Sequence, residues 1–512
     1  MADEFMTLPN RIAATARADA GGFAVQIGEL TFTWGELDRT MNRVASRLAA
    51  GGIVPGDRVA AIGPTSPEYL LLFLGVLRAG ACMVPLPTMA AADSLARMIE
   101  DAEARAIFVA GPQRDLIESV RSQLSAIAPE GWVGFDFEGP GWTGWEAWIA
   151  GASDAPFTVP IGPDEAFNIM YSSGTTGEPK GIVHSHRMRN EHITRMVRFG
   201  IGPDSVTLIS TPLYSNTTHA CLLGSIGLGG RTHMMRKFDA LEFLRIAERE
   251  KVTHAMLVPV QYQRILAHPE FDRFDLSSFR WKLCTSAPLS PLIKRDAVAR
   301  WPGKMLEIYG HSEGGANCTL PIDEYPDKLH TVGRPIAGCV IKMIDEQGNE
   351  LPRGQTGEIV GRQPAMMTGY FKQPEKTAEI IWRDAEGTVY YRSGDVGYFD
   401  DDGFLVLLDR TKDMIVSGGF NVYAVDIERV IEQHPEVAEV AVVGLPSEQW
   451  GETPVAFVVL KPGATIDAES LRDYANTRLG KLQRISGLKF RDSLPRSEVG
   501  KILKRDLRAP RQ

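Results

Sequence analysis

Between an apolar run over residues 166–170 and a second apolar step, Ile182-Val183, the chain reads Tyr171-Ser172-Ser173-Gly174-Thr175-Thr176-Gly177-Glu178-Pro179-Lys180-Gly181. The flanks predict two strands, so the polar stretch is the turn that joins them. Its glycines tolerate positive φ and let backbone amides approach a ligand, while four Ser/Thr hydroxyls and the Lys180 ammonium supply donors against a single carboxylate, Glu178. Such a loop is built to hold an anion, and polyphosphate is the guest it fits. It is not the common P-loop, which needs Gly-Lys-Ser/Thr in succession at the start of a helix; here Pro179 precedes Lys180 and Gly181 follows it.

The segments around this loop alternate between the two main periodicities. Leu37, Met41, Val44 and Leu48 recur at helical spacing, with Gly51-Gly52 as the stop. A strand over 58–62, a buried helix over 68–79, a strand over 81–84, an amphipathic helix around Leu95, Met98 and Ile99, and a strand over 106–110 then make a β-α-β-α-β series, which implies a parallel sheet. Trp132, Trp142, Trp145 and Trp148 read as packing for an irregular connection rather than as a stacking platform for a ligand. Beyond the loop, Ser185 can cap a helix running to Met196, and Asp239 one running to Glu248 that feeds a strand over 255–258. The alternation continues through strands over 281–284 and 305–309.

After Asp409 the character changes. Arg410-Thr411-Lys412-Asp413 is a charged joint, followed by a helix over 424–433, strands over 439–443 and 455–460, and a helix from Ala468. The expected fold is α/β: a large N-terminal domain, 1–411, of mostly parallel sheets sandwiched by helices, plus a small mobile α+β C-terminal domain, 412–512. The second is long enough for a small core of its own.

A net charge of −9 with no basic block disfavours nucleic acid or an anionic membrane as partner. Cys82, Cys221, Cys284, Cys318 and Cys339 are scattered without metal-ligand spacing and read as reduced thiols of a cytoplasmic protein. The acidic N-terminus lacks signal-peptide order, and the apolar run over 70–77 is too short to cross a bilayer, so no integral membrane segment is expected. The oligomeric state stays open, with a homodimer among the options.

The complete string from Tyr171 to Gly181 closely resembles the phosphate loop of the adenylate-forming enzymes, which include acyl-CoA synthetases, luciferases and peptide-synthetase adenylation domains. Leu77-Arg78-Ala79-Gly80-Ala81-Cys82-Met83-Val84-Pro85-Leu86 resembles a structural signature of the same family. The resemblance implies ATP, Mg²⁺ and coenzyme A as cofactor and co-substrates. It places Ser172, Ser173, Gly174, Thr175, Thr176 and Gly177 on ATP and makes Lys180 catalytic.

Tyr309-Gly310-His311-Ser312-Glu313 ends a predicted strand, where ligands of open α/β sheets bind. It resembles the family's Tyr-Gly-x-Thr-Glu, with Ser312 replacing Thr. By that resemblance Glu313, with Thr176, holds the metal, and Tyr309, Gly310 and Ser312 line the nucleotide site. Ser286-Ala287-Pro288 matches the segment laid against adenine, and Asp395 of Ser393-Gly394-Asp395 the ribose ligand. Arg410 matches an arginine of the ribose and phosphate region, and Lys412 falls on the hinge. Leu494-Pro495-Arg496-Ser497-Glu498-Val499-Gly500-Lys501 resembles the closing signature whose lysine, Lys501, neutralises charge in the adenylation transition state. Gly419, in Ser417-Gly418-Gly419-Phe420-Asn421, leaves room for pantetheine.

The resemblance implies an AMP-forming acyl-CoA synthetase: carboxylic acid and MgATP give acyl-AMP and pyrophosphate, and the CoA thiol then displaces AMP. Ser215, Asn216, Thr217, His219, Tyr262, Gly310, His311 and Gly315 are its expected acyl-site residues. Two departures stand out: Ser215 where many acyl-CoA synthetases carry an aromatic or His gate, and Ala424 where the hinge-proximal motif has Pro. The mixed polar lining favours a compact aromatic or alicyclic acid over a long-chain fatty acid, because aliphatic chains gain from apolar surroundings and buried polar groups need partners. The alternatives are a fatty-acid–CoA ligase, an amino-acid or acyl adenylation enzyme loading a carrier protein, a luciferase-like oxygenase and a silent ATP-binding regulator. Asn216 cannot supply the charge that would pair a substrate ammonium, and Lys180, Glu313, Asp395 and Lys501 together argue against a silent protein.

Overall fold

The computed structural model describes residues 5–172, 179–410, 414–417, 420–447, 450–480, 483–497 and 500–508, with the side chains of Ser172, Asp409, Arg410, Val416, Phe420 and Asn421 outside the description. Two compact units result. The first comprises 1–315, 321–326 and 362–381; the second comprises 316–320, 327–361 and 382–512.

In the first unit, the helix Trp34–Ala50 opens with a reciprocal cap: the Thr33 amide donates to Glu36 Oε2 at 2.8 Å and the Glu36 amide to Thr33 Oγ1 at 3.3 Å. Its predicted face, Leu37, Met41, Val44 and Leu48, is buried. That face meets the helix Pro67–Arg78, in which every residue but Glu68 is buried. A Cβ at Gly75 would lie 2.3 Å from Val44 Cγ1, so glycine is what lets the two helices approach.

The predicted β-α-β-α-β series forms a parallel core, with Cys82–Leu86 and Ala104–Val109 flanking Arg58–Ile62. Ala166–Ser172 adds to it in parallel beside Cys82–Leu86. Lys180–Ser185 then returns antiparallel, and Gly369–Tyr370 pairs on the outer side of that strand. The strands on either side of the loop are therefore an antiparallel pair set into a parallel sheet. A second sheet runs Lys304–Gly310, Trp281–Cys284, His254–Leu257, Val206–Ile209, Arg231–Met234 and Phe23–Ile27, all parallel, with Leu30–Thr33 antiparallel on Phe23–Ile27.

Ser185 and Asp239 cap the helices His186–Arg195 and Ala240–Arg249 as expected. The tryptophan connection is more regular than predicted: Trp132 opens the strand Trp132–Gly134, and Trp145 and Trp148 lie in the short helix Trp145–Ile149. All four indoles are buried, with Trp132 edge-on to Trp142 at 5.3 Å and Trp145 stacked on Trp148 at 5.4 Å.

In the second unit, Gly357–Arg362 and Leu405–Arg410 pair antiparallel on either side of Val389–Phe399. Beyond residue 414 lies a sheet in which Val437–Ser447 and Gly451–Leu460 form a long hairpin, with Ile415–Ser417 and Gly487–Phe490 also pairing on Gly451–Leu460. These hairpin strands exceed the predicted 439–443 and 455–460, because the cross-strand ladder continues past the apolar run that marks each strand in sequence. Val440 and Val442 pack against Ile427 and Ile431 of the helix Ala424–Glu432 and Leu471 of the helix Ala468–Asn476. Ala441 and Val443 face the other way, onto Phe457, Leu494 and Leu507. Burial on both faces gives this region a core of its own. The expected boundary and hinge, Lys412, lies outside the described residues.

Candidate active site

Ser172 and Lys180 are paired across the hairpin ladder, so the loop leaves and rejoins the sheet at adjacent points. Its members Ser173, Gly174, Thr175, Thr176 and Gly177 lie outside the described residues, and Ser172 is described in its backbone alone. The Lys180 ammonium lies 5.5 Å from the ring centre of Tyr370, close enough for a cation–π contact. The Tyr370 hydroxyl donates to Glu313 Oε1 at 3.0 Å. Lys180, Tyr370 and Glu313 thus form one connected set.

Glu313 is fixed through its backbone as well, where its carbonyl accepts from the Met367 amide at 2.9 Å. The next residue, Gly314, has φ of 84°, and a Cβ there would lie 2.5 Å from the Ala365 carbonyl oxygen. Only glycine lets the turn seat against this segment. Mg²⁺ in a nucleotide site keeps waters and phosphate oxygens and needs one or two carboxylates. Glu313, half-buried and with one oxygen already oriented by a phenol, fits that demand.

Ser312 is held by a network that the sequence did not single out. Its centre is Arg189 on the helix His186–Arg195, 1% exposed. Arg189 Nε and Nη2 donate to Asn168 Oδ1 at 3.0 and 2.9 Å, and Nη1 donates to Asn216 Oδ1 at 2.9 Å. Nη2 also lies 2.7 Å from His184 Nδ1, and His184 Nε2 lies 2.7 Å from the Ser312 carbonyl oxygen. The Nδ1 atoms of His192 and His219 lie 3.4 and 3.5 Å from the same guanidinium. Burial pushes Arg189 down to about 9. Burial first, and the Arg189 charge second, hold His184, His192 and His219 well below the ordinary imidazole range. One sequence signal was present: Arg189 precedes the buried Ile193 by four residues, on the apolar face of its helix, where a cation has to be satisfied internally.

The acyl segment begins at Ser215, which caps the helix Asn216–Gly227. Asn216 Nδ2 reaches to 3.4 Å from Ser312 Oγ, and the Thr217 hydroxyl is hydrogen-bonded to that of Ser286. Ser286 has φ of 82°, a left-handed conformation unusual for a residue with a side chain, and it leads into the accessible Ala287 and Pro288. The Leu289 amide, just beyond, donates to Glu307 Oε1 at 3.1 Å, and Glu307 is paired with the buried Lys294 at 2.5 Å. Asn216, Thr217, Ser286 and Ser312 are thereby brought together. His219 and Tyr262 turn inward: His219 Nε2 lies 2.7 Å from the Leu213 carbonyl oxygen, and the Tyr262 hydroxyl donates to the Leu283 carbonyl at 3.1 Å, both residues fully buried. At the strand end, Gly310 is exposed, the Tyr309 ring meets His311 edge-on at 5.2 Å, and Gly315 has φ of 78°.

In the second unit, Asp395 is buried and its amide donates to Ser393 Oγ at 3.0 Å, while the Ser393 hydroxyl donates to the Ile359 carbonyl at 2.7 Å. Asp395 lies directly opposite Arg410 in the ladder, so these two expected ribose residues share one register position. Lys501 closes a tight turn: its carbonyl accepts from the Ser497 amide at 2.8 Å and its own amide donates to Ser497 Oγ at 3.2 Å. Arg496 braces the turn, donating to the Gly500 carbonyl at 2.6 Å and pairing with Glu439 at 2.8 Å. Gly419 lies outside the described residues.

Lys180, Tyr370 and Glu313, held together just beyond the end of a parallel strand, are groups suited to a polyphosphate and its metal. Residues 11–371 match the AMP-binding enzyme family and residues 426–501 match the AMP-binding enzyme C-terminal domain, and the chain belongs to that family. It is an AMP-forming acid–CoA ligase, and ATP and CoA are substrates of such enzymes. A feruloyl-CoA synthase of Amycolatopsis sp is 33% identical over 504 residues, 96% of each chain. 4-Coumarate–CoA ligase 2 of Nicotiana tabacum is 33% identical over 500 residues, 93% of this chain and 89% of the relative. The solved structure of ATP-bound MatB from Rhodopseudomonas palustris superposes with a TM-score of 0.85 at 31% identity, covering 98% of both chains. Among the described residues no helix is long and apolar enough to cross a membrane.

Proposed function

We propose that this ligase activates a compact aromatic carboxylic acid in the cytoplasm and passes it to CoA. The observation that carries the proposal is the Lys180, Tyr370 and Glu313 set: one phenol ring lies under the ammonium and orients the carboxylate, so a phosphate-binding cation and an oxygen donor for a metal are held together. Two of the relatives are named for ferulate and 4-coumarate, which supports an aromatic acid.

A carboxylate resists thiols because its leaving group is oxide; the mixed anhydride makes the leaving group AMP. The protein's part is positioning and charge neutralisation. Lys180 takes phosphate charge as pyrophosphate departs. Glu313, with Thr176, would hold Mg²⁺, whose charge offsets that of the polyphosphate. Ser286, Ala287 and Pro288 present backbone to adenine, and Asp395 accepts from the ribose hydroxyls with Arg410 beside it in the ladder. Lys501 neutralises the attacking carboxylate and the α-phosphate. Gly419 leaves room for pantetheine in the thioester step, and Lys412 is the hinge between the two half-reactions.

The test is pyrophosphate and AMP release, with and without CoA, over ferulate, 4-coumarate, benzoate, cyclohexanecarboxylate and palmitate. The highest kcat/KM is expected for an aromatic acid, with CoA-dependent AMP release. A kcat/KM for palmitate above that of every cyclic acid would overturn the substrate class.

A further inference from the structure

We infer that Arg189 is a positioning residue for adenylation, one guanidinium that orients the Ser312-Glu313 turn through His184 and Asn216 and ties it to the strand entering the phosphate loop through Asn168. The inference rests on the proposed role of Glu313 in the adenylation step.

A guanidinium has five N–H donors and no acceptor. Facing it, His184 Nδ1 must carry a lone pair, which puts the imidazole proton on Nε2, where it is donated to the Ser312 carbonyl at 2.7 Å. Asn168 agrees with that tautomer: its Oδ1 takes the two Arg189 bonds, leaving Nδ2 3.3 Å from the same His184 Nδ1. Asn216 is oriented by the same logic, Oδ1 toward the cation and Nδ2 toward Ser312 Oγ. Ser312 is thus addressed at its backbone and at its hydroxyl by two arms of one cation, one residue before Glu313.

Asn168 stands in the strand Ala166–Ser172, which runs into the phosphate loop, and His184 stands in Lys180–Ser185, which leaves it. Arg189 therefore sets the register between both strands of the hairpin and the Glu313 turn. Among the described residues its partners are all neutral: two asparagines, three imidazoles and the Met170 sulfur at 3.6 Å. A buried cation satisfied without an acid is expensive in stability, and an aliphatic residue would fill the position at lower cost. Such a local conflict belongs where function demands it.

The test combines a structural and a kinetic readout on the full chain. In ¹⁵N-histidine-labelled wild type, His184 is expected as the Nε2-H tautomer, and in Arg189→Met its nitrogen shifts should move toward a mixture of tautomers. In acid-dependent ATP–pyrophosphate exchange, Arg189→Met should raise the half-saturating Mg²⁺ concentration and the KM for MgATP by about tenfold or more, the usual loss on removing an outer-shell partner. Thioester formation from supplied acyl-AMP should stay within about twofold, since Glu313 serves adenylation alone. The double variant Arg189→Met with His184→Gln should be no worse than the more damaged single variant.

Arg189→Lys, which keeps the charge but loses the fork, should show the same Mg²⁺ defect, and it replaces Arg189→Met if that chain does not fold. An Nδ1-H His184 in wild type, unchanged nitrogen shifts in the variant, additive losses, or equal losses in both half-reactions would each overturn the inference. Failure of the wild type to release pyrophosphate with any acid would overturn the functional proposal instead, and the nitrogen shifts keep the two failures apart.

Discussion

The Tyr370 hydroxyl donates to Glu313 Oε1 at 3.0 Å across 57 residues of chain. A hydrogen bond to a charged group contributes about 1.5–3 kcal/mol, less where water reaches it. Tyr370→Phe keeps the ring under Lys180 and removes only this bond. The half-saturating Mg²⁺ concentration for pyrophosphate exchange should rise about three- to tenfold, or about 0.7–1.4 kcal/mol, just under that range because Glu313 is only half-buried, with the melting temperature nearly unchanged. A Mg²⁺ titration of both proteins decides it; identical curves would show that the phenol does not orient the carboxylate for metal.

Lys501→Ala should separate the half-reactions. The lysine turn is held by backbone bonds to Ser497 and by Arg496, so truncating the side chain leaves the turn in place. Adenylation should fall by about 100-fold or more, the scale of losing one charge stabiliser in a transition state, while supplied acyl-AMP is still converted to thioester. Equal loss in both steps would remove Lys501 from adenylation.

Asp395→Ala should raise the KM for ATP and erase the preference for ATP over 2′-deoxy-ATP. Charge-assisted bonds to the ribose contribute about 1.5–3 kcal/mol each, and the mutation leaves the Ser393 to Ile359 bond of the neighbouring strand untouched. Undiminished discrimination in the variant would assign the ribose to another residue.

Stability should fall on acidification. His186 is buried, with no hydrogen-bond partner for Nε2 among the described residues and its ring 5.1 Å from Phe167, and burial pushes it down to about 4. Below about pH 6.5 the unfolded chain takes up a proton that the native chain refuses until near pH 4, so the native state loses stability across that window and is unaffected above it. The shift of His186 alone corresponds to about 3 kcal/mol by pH 4. His219, held low by burial and by Arg189, adds in the same direction. His186→Phe should flatten the fall in unfolding free energy between pH 6.5 and 4 with little change at pH 8. A variant with the wild-type slope would place the titration elsewhere.

The hairpin around the phosphate loop, the parallel series before it, the helices capped by Ser185 and Asp239 and the position of Glu313 at the end of a strand were all legible in the sequence. Each rests on a local rule, such as the alternation of apolar residues, a capping side chain or a glycine turn, that a few consecutive residues state completely. The partners of Glu313 and Ser312 were not legible. Tyr370 reaches Glu313 because Gly369–Tyr370 pairs on the outer side of Lys180–Ser185, and sheet order is a choice among distant segments that no local pattern records. In sequence Arg189 offers only its spacing of four from Ile193 on a largely polar helix, which names none of its partners. It became the centre of a network only when its helix packed so that the guanidinium faced Asn168, His184 and Asn216, drawn from three other elements. Likewise, His219 and Tyr262 carry the chemistry of a binding pocket in their side chains, yet packing turned their polar atoms onto backbone carbonyls. Residue type and spacing determined what chemistry this chain has available. Tertiary structure decided which of those groups meet, because side-chain direction and hydrogen-bond satisfaction are set by neighbours that lie far away along the chain.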